Sequence, residues 1–113
     1  MGLVSTTYSD TINLVLTGSL TVTSPNSAVK WVRGTTHTIT WTSTGSPGSY
    51  VKIELLNADV VNLVISASTA NDGSYSWTIP AAQVVGTDYK IRITSTTNAA
   101  ISDSSKNNFT VIT

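Results

Sequence analysis

The sequence predicts an all-β domain, an antiparallel sandwich of two packed sheets, and three observations carry that prediction. Apolar and polar residues alternate in short runs, as over Thr36–Thr42 and Tyr50–Leu56, which is the period of a half-buried strand rather than a helix. β-Branched residues dominate those runs, and their stiff side chains suit a pleated surface. Gly, Pro, Asn and Asp interrupt the runs at short intervals, as turns require. A chain of 113 residues is long enough for one hydrophobic core and too short for two.

The elements follow in order. Thr11–Leu16 is the first candidate strand, with Ile12, Leu14 and Leu16 on one face. Gly18 breaks it, and Leu20–Thr23 resumes extended structure until Ser24, Pro25 and Asn26 turn the chain. Val29–Arg33, an irregular segment containing Trp31, leads to Gly34. Thr36–Thr42 then sets His37, Ile39 and Trp41 on a core face against a ladder of Thr36, Thr38, Thr40 and Thr42. A loop over Ser43–Ser49 holds Gly45, Pro47 and Gly48. Tyr50–Leu56 directs Val51, Ile53 and Leu55 inward and Tyr50, Lys52 and Glu54 outward.

Asn57, Ala58 and Asp59 turn that strand into Val61–Ala67, whose inward residues are Leu63 and Ile65. A tight Asp72-Gly73 turn precedes a strand with Tyr75, Trp77 and Ile79 on one face, and Pro80 stops it. Ala81–Val85 is the one stretch with helical character, enough for a single turn. Tyr89–Thr94 places Tyr89, Ile91 and Ile93 inward and Lys90 and Arg92 outward. Asn98–Asn108 reads as a polar loop around Ile101, and Phe109–Ile112 closes the chain. Seven or eight strands result. A small Greek-key barrel would also accommodate them. Tyr89, preceded by Gly86-Thr87-Asp88, favours the sandwich, because it fits a tyrosine corner of the immunoglobulin-like kind.

Composition narrows the function classes. Charged residues make up 11% of the chain, against roughly 25% in an ordinary soluble domain. Thr (20) and Ser (16) take their place, a habit associated with secreted and wall-associated proteins. Zero net charge supplies no electrostatic footprint for nucleic acid or an anionic membrane. The lack of cysteine excludes disulfides, thiol nucleophiles and thiolate metal sites. No apolar run approaches the roughly 20 residues that span a bilayer, and no basic region followed by an apolar segment marks a signal peptide.

Thr23-Ser24-Pro25-Asn26, Trp31, Gly34, Ile39-Thr40-Trp41, Val51–Leu55, Asn71–Trp77, Asp88-Tyr89 and Ser102-Asp103 stand in an order that carries a resemblance. Over roughly residues 22–112 the chain resembles the Ser-Thr-rich GPI-anchored wall-protein family, also described as the cell-wall-synthesis N-terminal domain. The resemblance implies an immunoglobulin-type module of a secreted or surface-attached protein. In fungi it implies wall biogenesis linked to β-glucan assembly, and in prokaryotes a non-catalytic unit of a larger extracellular protein. This chain lacks the long Ser/Thr tail, anchor signal and cysteines of the fungal pattern, so a prokaryotic surface module is expected. Residues 1–21 fall outside the resemblance and form an amino-terminal extension, an extra strand or inter-domain join; residues 22–113 form the sandwich domain.

No enzyme is expected. The sole histidine, His37, has no second histidine to complete a metal pair or triad, and the six carboxylates are dispersed. No cofactor or metal is expected. Asp72 is expected to shape its turn and Asp88 to cap the corner before Tyr89. Lys52, Lys90 and Glu54 fall on outward phases, which does not suit a buried isopeptide cross-link. Flat aromatic faces stack on sugar rings when exposed, but Trp41, Tyr75 and Trp77 share the inward phase. Trp31 and Tyr50 are left as the candidate ligand platform. The expected role is a spacer, scaffold or adhesion unit outside the cell or on its surface, with carbohydrate binding as the alternative. A second alternative is a fibre subunit in which Thr11–Leu16 is donated to a neighbour's open sheet edge. Other surface or wall proteins, polysaccharide, or a second copy are the partners these roles imply.

Overall fold

Successive side chains on a strand point to opposite faces, so the alternating runs become strands with one buried side. The computed structural model describes residues 18–113, and the expected strand Thr11–Leu16 lies outside the described residues. Nine strands are present among them: β1 (Gly18–Ser24), β2 (Lys30–Val32), β3 (Thr36–Gly45), β4 (Tyr50–Asn57), β5 (Val60–Ala70), β6 (Ser74–Thr78), β7 (Gly86–Ser95), β8 (Ser102–Ser104) and β9 (Phe109–Ile112). The three-residue strands β2 and β8 account for the excess over the expected number. β8 lies inside the stretch read as a polar loop, where three residues are too few for alternation to register. No helix among the described residues is long and apolar enough to cross a membrane.

Two sheets result. The smaller has the order β1-β3-β6, and the larger β2-β9-β7-β4-β5, with β8 also pairing β7. All pairs are antiparallel except β2 with β9, which run parallel with Lys30 opposite Thr110 and Val32 opposite Ile112. Between the sheets lie Leu20, Val22, Ile39, Trp41, Val51, Ile53, Leu55, Trp77, Ile79, Tyr89, Ile91, Ile93, Phe109 and Val111, each at most 5% exposed. Every strand but β2, β5 and β8 supplies one or more of them, so the domain has one continuous immunoglobulin-like core. Leu63, Ile65 and Tyr75 pack half-buried against its margin.

The threonine ladder forms on the outer face of the smaller sheet. Hydroxyl pairs Thr36–Thr78 (2.8 Å), Thr23–Thr40 (2.6 Å) and Ser19–Thr44 (2.5 Å) tie β3 to both neighbours. Cross-strand pairs of this kind add stability at exposed positions without charge.

The expected Asp72-Gly73 turn is an arch between the sheets, because β5 pairs with β4 while β6 pairs with β3. Asp72 does shape it, accepting a bond from the Ser74 N–H at 3.2 Å. Gly73 has φ of 89°, and a Cβ there would meet the Trp41 carbonyl at 3.1 Å, so the arch requires glycine. Asn71 holds the arch down by accepting from Trp41 Nε1 (2.8 Å) and donating to the Gly48 carbonyl (3.0 Å). The Ala81–Val85 stretch makes a turn, with the Gln83 N–H on the Pro80 carbonyl at 3.1 Å, and no helix. Its carbonyls are committed elsewhere: Gln83 O accepts from Arg33 Nη1 and Val84 O from the Tyr89 hydroxyl.

Candidate functional site

The two platform residues lie at opposite ends of the larger sheet. Trp31 on β2 stands opposite Val111, which stands opposite Gly86 at the start of β7. Tyr50 opens β4, one residue before Val51, which faces Ser95 at the end of β7. Nine residues of β7 separate them, about 30 Å at strand rise. They do not form one surface.

Trp31 is half-buried and engaged on both sides. Its ring stacks on His37 with centroids 4.3 Å apart and planes 1° from parallel, and it meets Phe109 at 5.2 Å and Trp77 at 6.5 Å. The sequence placed it in irregular chain, whereas the structure places it in β2, held by the last strand. His37 belongs to the same cluster. Thr35 donates its hydroxyl to the Val32 carbonyl and so accepts from His37 Nε2 at 2.8 Å. The histidine packs on Trp31 at the margin of the core.

Tyr50 is 54% exposed. It shares the outer face of β4 with Lys52, and its carbonyl accepts from the N–H (3.2 Å) and hydroxyl (3.3 Å) of Thr96. Beside it opens a hollow of about 230 Å³ lined by Lys52, Ala67, Thr94, Ser95, Thr96 and Ala99. Ser95 shapes its floor, donating to the Pro47 carbonyl at 2.5 Å and accepting from the N–H groups of Thr97 and Asn98. This pins the loop over residues 46–49, shorter than the expected Ser43–Ser49 because β3 runs on to Gly45, to the end of β7. An exposed aromatic face, a lysine ammonium and threonine hydroxyls can stack on and hydrogen-bond a sugar ring.

The next position on this face corrects the sequence reading. Glu54 points outward as its phase requires, yet it is only 5% exposed. Its neighbours explain this, since Arg92 of β7 stands opposite on one side and Val64 of β5 on the other. Arg92 donates from Nε (3.0 Å) and Nη2 (2.8 Å) to Glu54 Oε1, while Lys52 Nζ lies 3.7 Å from Oε2. A buried carboxylate is tolerable only when partnered in this way. Leu56, flanked by Lys90 and Val61, is likewise covered at 4% exposure. Strand phase gives the face of a residue, whereas its exposure depends on which strands flank it. The signal that could have revealed the pair was opposite charge at outward positions of two neighbouring strands.

Asp103, like Asp72, spends its carboxylate on a backbone N–H. Asp103 Oδ2 accepts the Val22 N–H at 2.8 Å, joining β8 to β1. At the tyrosine corner, Tyr89 donates to the Val84 carbonyl at 2.5 Å and accepts from Gln83 Nε2 at 3.0 Å. Asp88 contributes its carbonyl there, to the Ala58 N–H at 2.9 Å. Among the described residues, no group of three or more His, Cys, Asp or Glu is arranged to hold a metal ion.

A family model, the Kre9/KNH-like N-terminal Ig-like domain, matches residues 24–111. Among solved structures, the fibronectin(III)-like modules of Clostridium thermocellum CbhA align with 22% identity and a TM-score of 0.49, covering 81% of this chain and 93% of that chain. No curated protein matches the chain.

Proposed function

This chain belongs to the Kre9/KNH-like N-terminal Ig-like domain family, and from that premise we propose that it is a non-catalytic structural module of an extracellular or cell-surface protein, a spacer or scaffold between neighbours. The carrying observation is the placement of the two chain ends of the sandwich. Gly18 pairs with Gly45 beside Pro47, at the end of the molecule where β7 finishes. Ile112 and Thr113 lie at the other end, beside Val85 and Gly86 where β7 begins. A chain that enters at one end and leaves at the other sets its neighbours apart by the length of the module. The hydroxyl-paired, nearly uncharged outer face of the smaller sheet suits a wall or extracellular setting. Antibody against the chain is expected to label intact source cells as strongly as permeabilised ones. Labelling only after permeabilisation would overturn the surface assignment.

A second reading, polysaccharide binding, is favoured by the exposed Tyr50 beside the Lys52–Thr96 hollow. On that reading Tyr50→Ala abolishes a tyrosine-fluorescence response to wall polysaccharides, while Trp31→Phe leaves it intact. A wild-type chain silent across a broad glycan panel removes this reading. Adhesion or assembly through a second copy, by donation of residues 11–16, would use β5 as acceptor, an edge strand of the larger sheet with no charged residue or proline.

A further inference from the structure

The seam between the amino-terminal and carboxy-terminal segments is the feature this function leaves unused. From Val22 to Arg33 on one side and Asp103 to Ile112 on the other, the two are laced almost residue by residue. Val22 N–H binds Asp103 Oδ2 (2.8 Å), and Ser105 Oγ donates to the Pro25 carbonyl (2.7 Å). Lys106 N–H binds Asn26 Oδ1 (2.6 Å), and Asn107 Nδ2 donates to the Asn26 carbonyl (3.1 Å). Thr110 N–H then binds the Val29 carbonyl and Arg33 N–H the Ile112 carbonyl, both at 2.9 Å, bracketing the parallel β2–β9 pair. Short polar side chains thus carry the lacing across the stretch where strand pairing is interrupted. Ser105 is 2% exposed, so water does not compete for its bond.

Direction gives this lacing its mechanical meaning. β9 runs antiparallel to β7 and parallel to β2, and the two chain ends leave from opposite ends of the sandwich. Tension applied between the ends therefore runs along the strands, and strand hydrogen bonds lie across that direction. Bonds loaded in this way share the force and must yield together. An edge strand pulled sideways loses its bonds one at a time. The same alignment holds for β1 on β3, paired from Gly18–Gly45 to Ser24–Thr40.

We propose that segments 22–33 and 103–112 form a shear clamp that makes this module load-bearing along its long axis, an inference that rests on the structural-module reading. Bearing tension between its neighbours is then a function of the domain, beyond spacing them. The clamp is not required for spacing, so a module that labels the cell surface but yields easily under tension would sink this inference and leave that reading standing.

The chain contains no cysteine, so introduced pairs attach handles at chosen residues of the full chain. Ser19→Cys with Thr113→Cys loads the seam end to end, and Val60→Cys with Thr87→Cys pulls β5 sideways from β7 without loading it. Forced unfolding reads the unfolding rate. At equal constant load the end-to-end pair is expected to unfold at least about tenfold more slowly, because several bonds must break in one step. Asn26→Ala and Asp103→Ala each remove one bond at a half-buried position. Each is expected to raise the end-to-end rate about two- to tenfold, with little change in the sideways rate. Asp103→Asn, which keeps an acceptor oxygen, restores the slow rate. Equal rates in the two geometries, or variants that accelerate both equally, would overturn the clamp, since a merely stabilising contact has no direction.

Discussion

The two long edges of the sandwich are finished in different ways. On one, β1 and β2 meet β8 and β9, and Asn26, Asp103, Ser105 and Asn107 reach across to backbone groups. On the other, β5 shifts register against β4 at three places and exposes Val60, Val61 and Val64. Bulges twist an edge strand away from further pairing, and the Pro80–Val85 loop covers part of this one, with Gln83 Nε2 on Asn62 Oδ1 at 2.9 Å. The first edge closes by saturating its polar groups, whereas the second is blunted only in part, by distortion and a loop, and stays open along the rest of β5. The difference teaches that edge closure and core packing are separate problems, because both edges flank the same continuous core.

Substitutions can break that contrast. The largest effect is expected from Ser105→Ala, which strands the buried Ile91 N–H (3.0 Å from Oγ) and frees the Pro25 carbonyl. The cost is about 2–3 kcal/mol, read as a lowered urea midpoint with an unchanged slope. A loss below about 0.5 kcal/mol would mean the seam contributes nothing beyond β2–β9 pairing. Under the loop that covers part of the opposite edge, Tyr89→Phe removes the bond to the Val84 carbonyl and one acceptor of Gln83 Nε2. Val84 is 66% exposed, so water can replace the phenol, and Gln83 Nε2 keeps Asn62 Oδ1. A loss of about 1 kcal/mol is expected, and a cost equal to that of Ser105→Ala would erase the asymmetry. The smallest effect on stability belongs to Val64→Lys, at 49% exposure on β5. It is expected to stay within about 0.5 kcal/mol of the parent, while lowering any self-association seen by sedimentation, because a lysine blunts an open edge.

How much could be read in advance varied with range. Tyr89 was legible because the corner needs only a tyrosine opening an alternating strand and a carbonyl a few residues upstream. The inward faces of β3, β4 and β7 were legible for the same local reason. β2 was not, since its three residues acquire strand geometry from Thr110–Ile112 at the far end of the chain. Trp31 shared that fate, and its stacking on His37 depends on two strands in different sheets. Of the platform pair, Tyr50 keeps an open face as its outward phase suggested, whereas the face of Trp31 is occupied by that stack.

By itself the amino-acid sequence determined the β class, the inward side of each long strand and the corner at Tyr89, because these rest on a two-residue period and local turn chemistry. It also determined the nearly uncharged surface, since composition leaves nothing else to expose. Only the tertiary structure decided that Glu54 is buried, that Asp103 and Ser105 serve a seam, and that Trp31 and Tyr50 stand at opposite ends. Each of those outcomes depends on which strands become neighbours, and strand order is set by packing two sheets around one core, at sequence separations the local pattern does not encode.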